Sequence, residues 1–328
     1  MSLSLTILGS SSALPTSKRF LTAHLVNHDE RFFLLDCGEG TQIQLRRFGN
    51  KMARINHIFI SHLHGDHVFG IFGLLSTMNM HGRKTPLHIY SHPKLEEIIT
   101  SHLNYFNDDI KFPIHYHHIG ATKSQILYED NKLEISTIPL KHRIPCVGFL
   151  IKEKPKLLNI RKETIEYYNI GVKQILSIKQ GNDFITENGK VIPNSQLTYS
   201  SFIPKSYVYC TDTKPLKSIL TYIKGVDILY HEATFLHKDA KLAKQTYHST
   251  AQQAAEIASE AKVGQLVIGH FSSRYKNDNE FLTEAKEVFK KIKEESYSVM
   301  LSDFLDVLMK LDSFKNWEPY LEEKGLKD

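Results

Sequence analysis

The chain has 328 residues, of which 41% are hydrophobic, so it can bury one large layered core or two modest ones and is not expected to be disordered. Lysine and arginine number 41 against 36 aspartates and glutamates, and the resulting net charge of +5 suits a polyanionic partner without proving one. The three cysteines, Cys37, Cys146 and Cys210, lack C-x-x-C spacing, which argues against disulfides or a zinc knuckle and fits a reducing compartment.

The chain carries no recognisable targeting or membrane segment. Residues 1–9 are too short, and too quickly followed by polar residues, to form the apolar region of a secretory signal. No apolar stretch approaches the length of a membrane span. We therefore expect a cytoplasmic protein with no membrane partner.

Short apolar runs rich in β-branched and aromatic residues predict strands in both halves of the chain. These runs cover residues 4–8, 32–35, 57–60, 87–90, 206–212, 227–231 and 265–270. Helical patterns lie between them, at residues 40–48, 94–106 and 250–260. Two β-rich halves with helices outside predict an αββα sandwich, which we take as one domain over residues 1–328.

Residues 152–199 differ from the rest, because charges alternate there with Gly, Asn and Pro and only residues 161–168 have a helical pattern. This composition predicts an inserted arm, although an ordinary long surface connection explains it about equally well. Over residues 152–197, seven Lys and one Arg against five acidic residues give a net charge of +3. A basic arm remote from a reaction centre could bind an anionic substrate.

The strongest indication of function is the run Ser61-His62-Leu63-His64-Gly65-Asp66-His67, which directly follows a predicted strand. Because a strand end leaves the chain free to turn, His62 and His64 can converge on one cation while Asp66 and His67 face a second. Imidazole and carboxylate ligands favour zinc over calcium or magnesium. The run therefore predicts a zinc centre.

Two coordination shells need more ligands than the six positions from His62 to His67 supply, and we expect the others at other strand ends. His142, Asp212 and His270 each follow a predicted strand. Each alone is more often a cap or turn residue. Together they complete a two-metal pattern.

Several motifs are distributed over most of the chain. They are Asp36-Cys37-Gly38-Glu39-Gly40-Thr41-Gln42, Ser61 to Gly70 with Gly73-Leu74-Leu75-Ser76, Pro139-Leu140-Lys141-His142-Arg143-Ile144-Pro145, Cys210-Thr211-Asp212-Thr213, His231-Glu232-Ala233-Thr234-Phe235, His248-Ser249-Thr250 and His270-Phe271-Ser272-Ser273-Arg274-Tyr275. Through these motifs the sequence resembles the ribonuclease Z group of the metallo-β-lactamase superfamily. The histidine run marks only the superfamily, whereas the HEAT motif at residues 231–234 and the HST motif at residues 248–250 point to the transfer-RNA-processing branch.

The resemblance implies a metallo-β-lactamase αββα sandwich with a protruding substrate-binding arm, two zinc ions per subunit, and a homodimer. It implies His62, His64 and His142 on one zinc, Asp66, His67 and His270 on the other, and Asp212 bridging both. The implied reaction is hydrolysis of precursor tRNA near the discriminator base, which removes the 3′ trailer and leaves a 3′-hydroxyl on the tRNA. The stretch from Asp36 to Gln42 is assigned to structural support of the site.

Phosphodiester hydrolysis needs an attacking water, neutralisation of charge on the phosphate, and a proton for the departing sugar oxygen. Zinc lowers the pKa of water, and Asp66 is placed to take or orient its proton, a role that the family resemblance supports. We predict His248, which lies outside the ligand set, as the general acid, oriented or tuned by Glu232.

Structural roles compete with these two predictions. Glu232 could instead hydrogen-bond a neighbouring histidine such as His231. His248 could belong to the cap of the helix predicted to begin near Thr250, through its neighbour Ser249.

Two arginines are candidate substrate-binding residues. Arg274 could bind a substrate phosphate, although a surface role is as plausible. Arg19 and Pro15 match the family's Pro-x-Lys-x-Arg-Asn-type loop, in which Lys18 is displaced and Phe20 replaces the asparagine. That loop bears on the treatment of CCA ends.

Other features depart from the family pattern or carry a structural interpretation. The arm lacks the family's usual Gly-Pro motif, because Gly171 is followed by Val172. We interpret the histidines of residues 115–118 as strand surface and assign structural roles to His81, His88 and His92.

Two rival functions remain open, because a ligand set does not choose its substrate. One is a phosphodiesterase of the same fold that acts on a small molecule. The other is a catalytically silent RNA-binding protein, against which the complete set of ligands argues.

Overall fold

The computed structural model describes residues 3–16, 19–106, 109–294 and 299–300. Within these residues, two seven-stranded sheets face each other. The first sheet has the order β18-β1-β2-β3-β4-β5-β6. Its strands are β1 (Leu3–Gly9), β2 (Ala23–His28), β3 (Arg31–Leu35), β4 (Ile55–Phe59), β5 (Leu87–Ser91), β6 (Ile114–His118) and β18 (Val299–Met300).

The second sheet has the order β17-β16-β15-β14-β9-β8-β7. Its strands are β7 (Ile126–Glu129), β8 (Leu133–Pro139), β9 (Val147–Glu153), β14 (Ser206–Cys210), β15 (Ile228–Glu232), β16 (Gln265–Gly269) and β17 (Ile292–Glu294). Strands β14 to β17 run parallel to one another, so their carboxyl ends lie at one edge of the sheet.

Helices cover the outer face of each sheet. The first sheet packs against α1 (Thr41–Arg47), α2 (Gly65–Val68), α3 (Gly70–Met80) and α4 (Lys94–Phe106) through a shared apolar cluster. The second sheet packs against α8 (Leu220–Ile223), α9 (Ala240–Thr246), α10 (Ala251–Ala261) and α11 (Asn279–Val288). Short 3₁₀ turns occur at Met52–Arg54, Lys217–Ile219 and His237–Asp239.

A third apolar cluster fills the space between the two sheets. Seven of its 19 buried residues are aromatic, including the fully buried Phe33, Phe59, Phe149 and Tyr209. Each sheet thus has one face against its partner sheet and one against helices, and burying both faces of both sheets supplies the apolar area that stabilises the fold. The predicted αββα sandwich is confirmed.

The predicted strands and helices agree closely with the observed ones. Helix α4 has the predicted bounds, and each of the seven predicted strands overlaps an observed strand. The boundary of the arm differs, because residues 152 and 153 finish β9 by pairing with β8 and β14. The insertion therefore comprises residues 154–205.

The insertion forms a compact unit with a core of its own. It contains α5 (Lys162–Tyr167), α6 (Val172–Lys179), α7 (Asn194–Leu197) and two small ladders, β10 (Asn159–Ile160) with β13 (Thr198–Tyr199) and β11 (Phe184–Ile185) with β12 (Val191–Ile192). Its buried apolar residues are Ile170, Ile178, Phe184, Ile192 and Leu197. Because β9 and β14 are adjacent antiparallel strands, a tight turn would suffice to join them, and the insertion is more than a connection. The helix predicted at residues 161–168 is confirmed by α5.

No helix in the described part of the chain is both long and apolar enough to cross a bilayer.

Candidate metal centre

The ends of four strands bring the predicted ligands together at one edge of the sandwich. His62 and His64 follow β4, and Asp66 and His67 lie in the short helix α2 directly after them. The other three predicted ligands, His142, Asp212 and His270, follow β8, β14 and β16. The seven side chains thus converge from both sheets, and six of them are at least nine-tenths buried while His64 is half-buried.

Four of these residues form a first group around Asp212. The Nδ1 atom of His64 lies 3.0 Å from Nε2 of His62 and 3.2 Å from Nε2 of His142. The Oδ2 atom of Asp212 lies 3.5 Å from Nε2 of His62 and 3.6 Å from Nε2 of His142. Three nitrogens and one oxygen could therefore hold one metal ion.

The other oxygen of Asp212 belongs to a second group. Its Oδ1 lies 3.4 Å from Nε2 of His67 and 3.1 Å from Nε2 of His270. The Oδ2 atom of Asp66 lies 3.6 Å from His67 and 3.4 Å from His270. Asp212 thus presents one carboxylate oxygen to each group, as a bridging ligand must.

Spacing and chemistry both fit metal binding. A tetrahedral site with ligand bonds of about 2.1 Å has ligand-to-ligand edges of about 3.4 Å, close to the separations within both groups. The Nε2 atoms of His67 and His270 are buried and have no hydrogen-bond partner among the described residues. Buried nitrogens left unpaired are costly unless another partner binds them, and a cation would satisfy both.

The electrostatics of the second group also favour a cation. Burial lowers the pKa of His67, but the carboxylates of Asp66, Asp212 and Asp36 outweigh burial and raise that pKa well above its ordinary value. Burial raises the pKa of Asp212, but the surrounding imidazoles hold it well below its ordinary value. The carboxylates therefore keep their negative charge, and a bound cation would take the place of the His67 proton.

Asp36, at the end of β3, holds His67 in place. Its Oδ2 accepts hydrogen bonds from Nδ1 of His67 at 2.7 Å, the hydroxyl of Ser61 at 2.8 Å and that of Tyr209 at 2.6 Å. Its Oδ1 accepts the backbone N–H of Ser61 at 2.7 Å. Burial raises the pKa of Asp36, but His67 and the backbone hydrogen bond from Ser61 outweigh burial and hold that pKa below its ordinary value. The carboxylate therefore stays ionised. Such partners fix the ring orientation of a ligand histidine.

A second network supports the opposite side of the site. The hydroxyl of Thr234 lies 2.9 Å from Nδ1 of His270 and donates to Oε2 of Glu232 at 2.8 Å. The other carboxylate oxygen of Glu232 lies 2.9 Å from Nδ1 of His248 and accepts the backbone N–H groups of Thr213 and Ser249, each at 3.1 Å. Glu232 is fully buried yet bonded through both oxygens.

His248 is close to the metal groups and has its Nδ1 engaged by Glu232. Its side chain is 13% exposed and lines the cavity that opens onto the site. Burial lowers the pKa of His248, but the Glu232 carboxylate outweighs burial and raises it to about 9. A pair of nearby divalent cations would shift that pKa back toward neutrality.

The Glu232 side chain does not bond His231, and His248 does not cap the following helix. His231 bonds the backbone carbonyl of Glu232 through its Nδ1 at 2.7 Å, whereas the Glu232 side chain reaches His248. The N-cap of α10 is Thr250, whose hydroxyl accepts from the backbone of Gln253 in a capping box, so His248 is not the cap.

Three residues with left-handed backbone conformations surround the site. Asp36, Tyr247 and His270 have φ of 56°, 64° and 63°. Residues other than glycine are uncommon in this region, although Asp and His enter it more readily than Tyr, and such conformations are found at functional sites. The carbonyl of Tyr247 lies 3.1 Å from Nδ1 of His142, so its conformation directs a hydrogen bond at a candidate ligand.

The two predicted substrate-binding arginines differ in their surroundings. Arg274 is exposed, with its guanidinium over the Phe235 ring at 5.2 Å. Arg19 is only 15% exposed and forms an ion pair with Asp278 at 3.1 Å. Lys18 lies outside the described residues.

The histidines predicted to have structural roles do not belong to the two donor groups. Residues 114–118 form β6, so the prediction of strand surface is confirmed. His88 stacks with His57 and His115 at ring separations of 5.0 Å each, and His92 lies between β5 and α4. His81 follows α3, 3.4 Å from Arg46.

Sequence reasoning missed several residues that orient the ligands, among them Ser61, Tyr209, Thr234 and Tyr247. Thr234 stands inside the HEAT motif, and that position was the available signal. Tyr209 is one of several strand aromatics, and Tyr247 acts through its backbone, so neither has a sequence mark.

The chain is similar to several known proteins. The chain is 48% identical to ribonuclease Z of Phocaeicola vulgatus, over 86% of this chain and 92% of that protein. It is 44% identical to ribonuclease Z of Bacteroides thetaiotaomicron, over 92% of this chain and 96% of that protein. A family model described as anti-Pycsar protein Apyc1 matches residues 3–159.

Among solved structures, the chain is similar to the short form of human tRNase Z. The TM-score is 0.63 and the sequence identity 27%, with 83% of this chain and 93% of that chain covered. The metallo-β-lactamase fold protein YhfI of Bacillus subtilis also has a TM-score of 0.63, at 17% identity over 90% of this chain and 96% of that chain.

Proposed function

The chain belongs to the ribonuclease Z family, and from this premise we propose that it removes the 3′ trailer from precursor tRNA, leaving a 3′-hydroxyl at the discriminator base. It is a metal-dependent endoribonuclease. The observation that carries this conclusion is identity of 44% and 48% to proteins named ribonuclease Z over most of both chains. The two donor groups bridged by Asp212 are consistent with this chemistry.

We assign two zinc ions to each subunit. His62, His64 and His142 would hold one, Asp66, His67 and His270 would hold the other, and Asp212 would contribute one carboxylate oxygen to each group. Five imidazoles and two carboxylates match the ligand preference of zinc better than that of calcium or magnesium. Bound zinc supplies a water of lowered pKa and neutralises negative charge on the phosphate.

Asp66 combines two roles in this proposal. Its Oδ2 lies within the second donor group and accepts the backbone N–H of Ala13 at 2.8 Å. Burial raises the pKa of Asp66, but His67 and His270 outweigh it and hold the pKa below its usual range. An ionised carboxylate fixed in this way can orient the attacking water or accept its proton.

His248 supplies the proton to the departing sugar oxygen. Its Nδ1 is engaged by Glu232, which leaves Nε2 as the nitrogen that can give a proton to the substrate. Glu232 also favours the protonated imidazole, which is the form that a general acid needs.

Substrate binding uses the insertion and the rim of the site. We propose that the arm grips the tRNA and that Arg274, exposed on the loop after His270, contacts a phosphate. Arg19 would have to leave Asp278 to do the same, so we assign it a weaker contact. We further propose a cytoplasmic homodimer in which the arm of one subunit holds the tRNA that the other cuts.

The test is incubation with an end-labelled precursor tRNA and mapping of the cut. We expect one cut next to the discriminator base that requires metal. Asp212→Asn should abolish cleavage, whereas Asp227→Asn, at the far end of the same sheet, should retain it. Hydrolysis of a bis-aryl phosphate without any cut in the precursor would favour a small-molecule phosphodiesterase, and bound zinc with no turnover would favour a silent RNA-binding protein.

A further inference from the structure

The cavity above the metal centre is lined by both polar and apolar side chains. Its volume is about 530 Å³. The polar side chains are those of Ser12, Glu39, His64, Asp66, Asp212, His248 and His270. The apolar side chains, which we call the apolar wall, are those of Ala13, Leu14, Pro15, Leu21 and Phe69. A phosphate held by the candidate metal centre would bring the attached nucleoside within reach of the apolar wall.

Phe69 is the dominant feature of the apolar wall. It stands between α2 and α3 with 64% of its surface exposed, although most large apolar side chains in this part of the fold are buried. No ring contact with another aromatic side chain occurs for Phe69 among the described residues. Scattered exposed apolar residues are ordinary in proteins, but an aromatic ring facing a reaction cavity is a ready surface for a ligand.

The backbone holds this ring close to the metal ligands. The N–H of Phe69 donates to the carbonyl of Gly65 at 2.9 Å. A β-carbon added to Gly65 would lie 2.3 Å from the ring, so the absence of a side chain lets the ring lie across the segment between His64 and Asp66. The position of the ring is therefore tied to that of two candidate ligands.

Leu14, which lines the same cavity, is also held by backbone contacts near the candidate ligands. It is 61% exposed and ends a tight turn whose preceding residue, Ala13, has φ of 57° and donates its N–H to Asp66. The hydroxyl of Ser11 donates to the carbonyl of Leu14 at 2.8 Å. Both exposed apolar side chains are thus fixed through the backbone to the reaction centre.

We propose that Phe69, flanked by Leu14, is a stacking platform for the nucleobase next to the cleaved phosphodiester. Unpaired bases in RNA stack on aromatic rings. Each face of a base is apolar, and this wall can cover one of them. Phe69 is then a positioning residue that places the phosphate at the candidate metal centre. The inference rests on the proposed cleavage of precursor tRNA.

The first experiment removes either the ring or the base. Phe69→Ala should lower kcat/KM for an intact precursor about tenfold, and Phe69→Trp should restore most of it. We would also use two precursors, each with an abasic residue on one side of the cut. For one of the two, wild type and Phe69→Ala should cleave equally slowly, because the base that stacks on the ring is missing. The matched control is Tyr105→Ala, because Tyr105 is 83% exposed but lies on α4 away from the cavity.

A second readout does not require cleavage. We would place 2-aminopurine at the same two positions of a precursor with a non-hydrolysable phosphonate linkage, bound to the metal-loaded enzyme. Fluorescence should be quenched by wild type and less by Phe69→Ala. Quenching without cleavage of normal precursor would keep the platform and refute the proposed function. Two results would refute the platform and keep the function. One is normal cleavage of the precursor by Phe69→Ala. The other is an equal loss of kcat/KM in Phe69→Ala on the intact precursor and on both abasic precursors.

Discussion

The Glu232 carboxylate connects the candidate ligands with the candidate acid. Thr234 carries one of its oxygens to His270, and the other oxygen contacts His248 directly. A buried carboxylate without partners would cost several kcal/mol, and here both oxygens are bonded, to His248, to the Thr234 hydroxyl and to backbone N–H groups. His248 can be replaced without removing any of the seven candidate ligands, whereas a change of Glu232 would also alter the support of His270.

This separation gives the first prediction. His248→Ala should lower kcat for precursor cleavage by roughly 100- to 10,000-fold, because a general acid contributes about that much. Zinc content, measured on the purified protein by elemental analysis, should stay at the wild-type value. The exposed His118, which pairs with Glu96 on the far side of the first sheet, gives a control substitution, His118→Ala. Loss of zinc together with activity would contradict the assignment.

The seven candidate ligands could be found from the sequence because each stands at the end of an apolar run. The sequence alone shows both the type of each side chain and its position after a predicted strand. Tyr209 could not be found that way, since its hydroxyl reaches Asp36 across the sandwich, from a residue 173 positions away. Tyr247 acts through a left-handed backbone that no tyrosine predicts.

At the scale of elements, the insertion is an independently packed unit on a complete sandwich. Its five buried apolar residues come from residues 170–197 and contact one another rather than the main cores. The sequence indicated an insertion and one helix. It did not reveal α6, whose exposed Val172 and Leu176 obscure the amphipathic pattern.

Deleting the insertion should separate substrate binding from chemistry. Replacing residues 155–203 by a short Asn-Gly turn should leave β9 and β14 paired, because they are already neighbours. We expect zinc content and bis-aryl phosphate hydrolysis within about twofold of wild type, and the KM for precursor tRNA raised at least tenfold. Unchanged KM for the precursor would refute a binding role for the arm.

At the scale of the whole molecule, histidines in the structural layers make stability depend on pH. His57 stacks between Phe33 and His88 where β3, β4 and β5 lie side by side. Burial, with smaller contributions from His88 and His117, lowers the pKa of His57 from 6.5 to about 4. Burial likewise lowers the pKa of His24, between the sheets, to about 3.

When a histidine has a lower pKa in the folded state than in the unfolded state, the unfolded chain binds more protons at any pH between the two values. His57 therefore contributes its full stability above about pH 6.5 and loses it as pH falls toward about 4. Between pH 7 and pH 5 the loss should be about 2 kcal/mol for this residue. Between pH 7 and pH 5, the free energy of unfolding of His57→Phe should decrease by about 2 kcal/mol less than that of wild type.

The measurement is urea denaturation at pH 7 and pH 5, with chelator present throughout so that loss of metal does not contribute. His118→Gln, at an exposed position on β6, is the matched control. Equal pH dependence in wild type and His57→Phe would show that the His57 imidazole is not the group responsible.

The distance along the chain between the ligands has a consequence for synthesis. The first candidate ligand is His62 and the last is His270, and Asp212, which joins the two groups, belongs to the second sheet. A nascent chain on the ribosome cannot assemble the pair of cation sites until both halves have emerged. A polypeptide that ends before residue 270 therefore lacks one of the seven candidate ligands and cannot complete the second donor group.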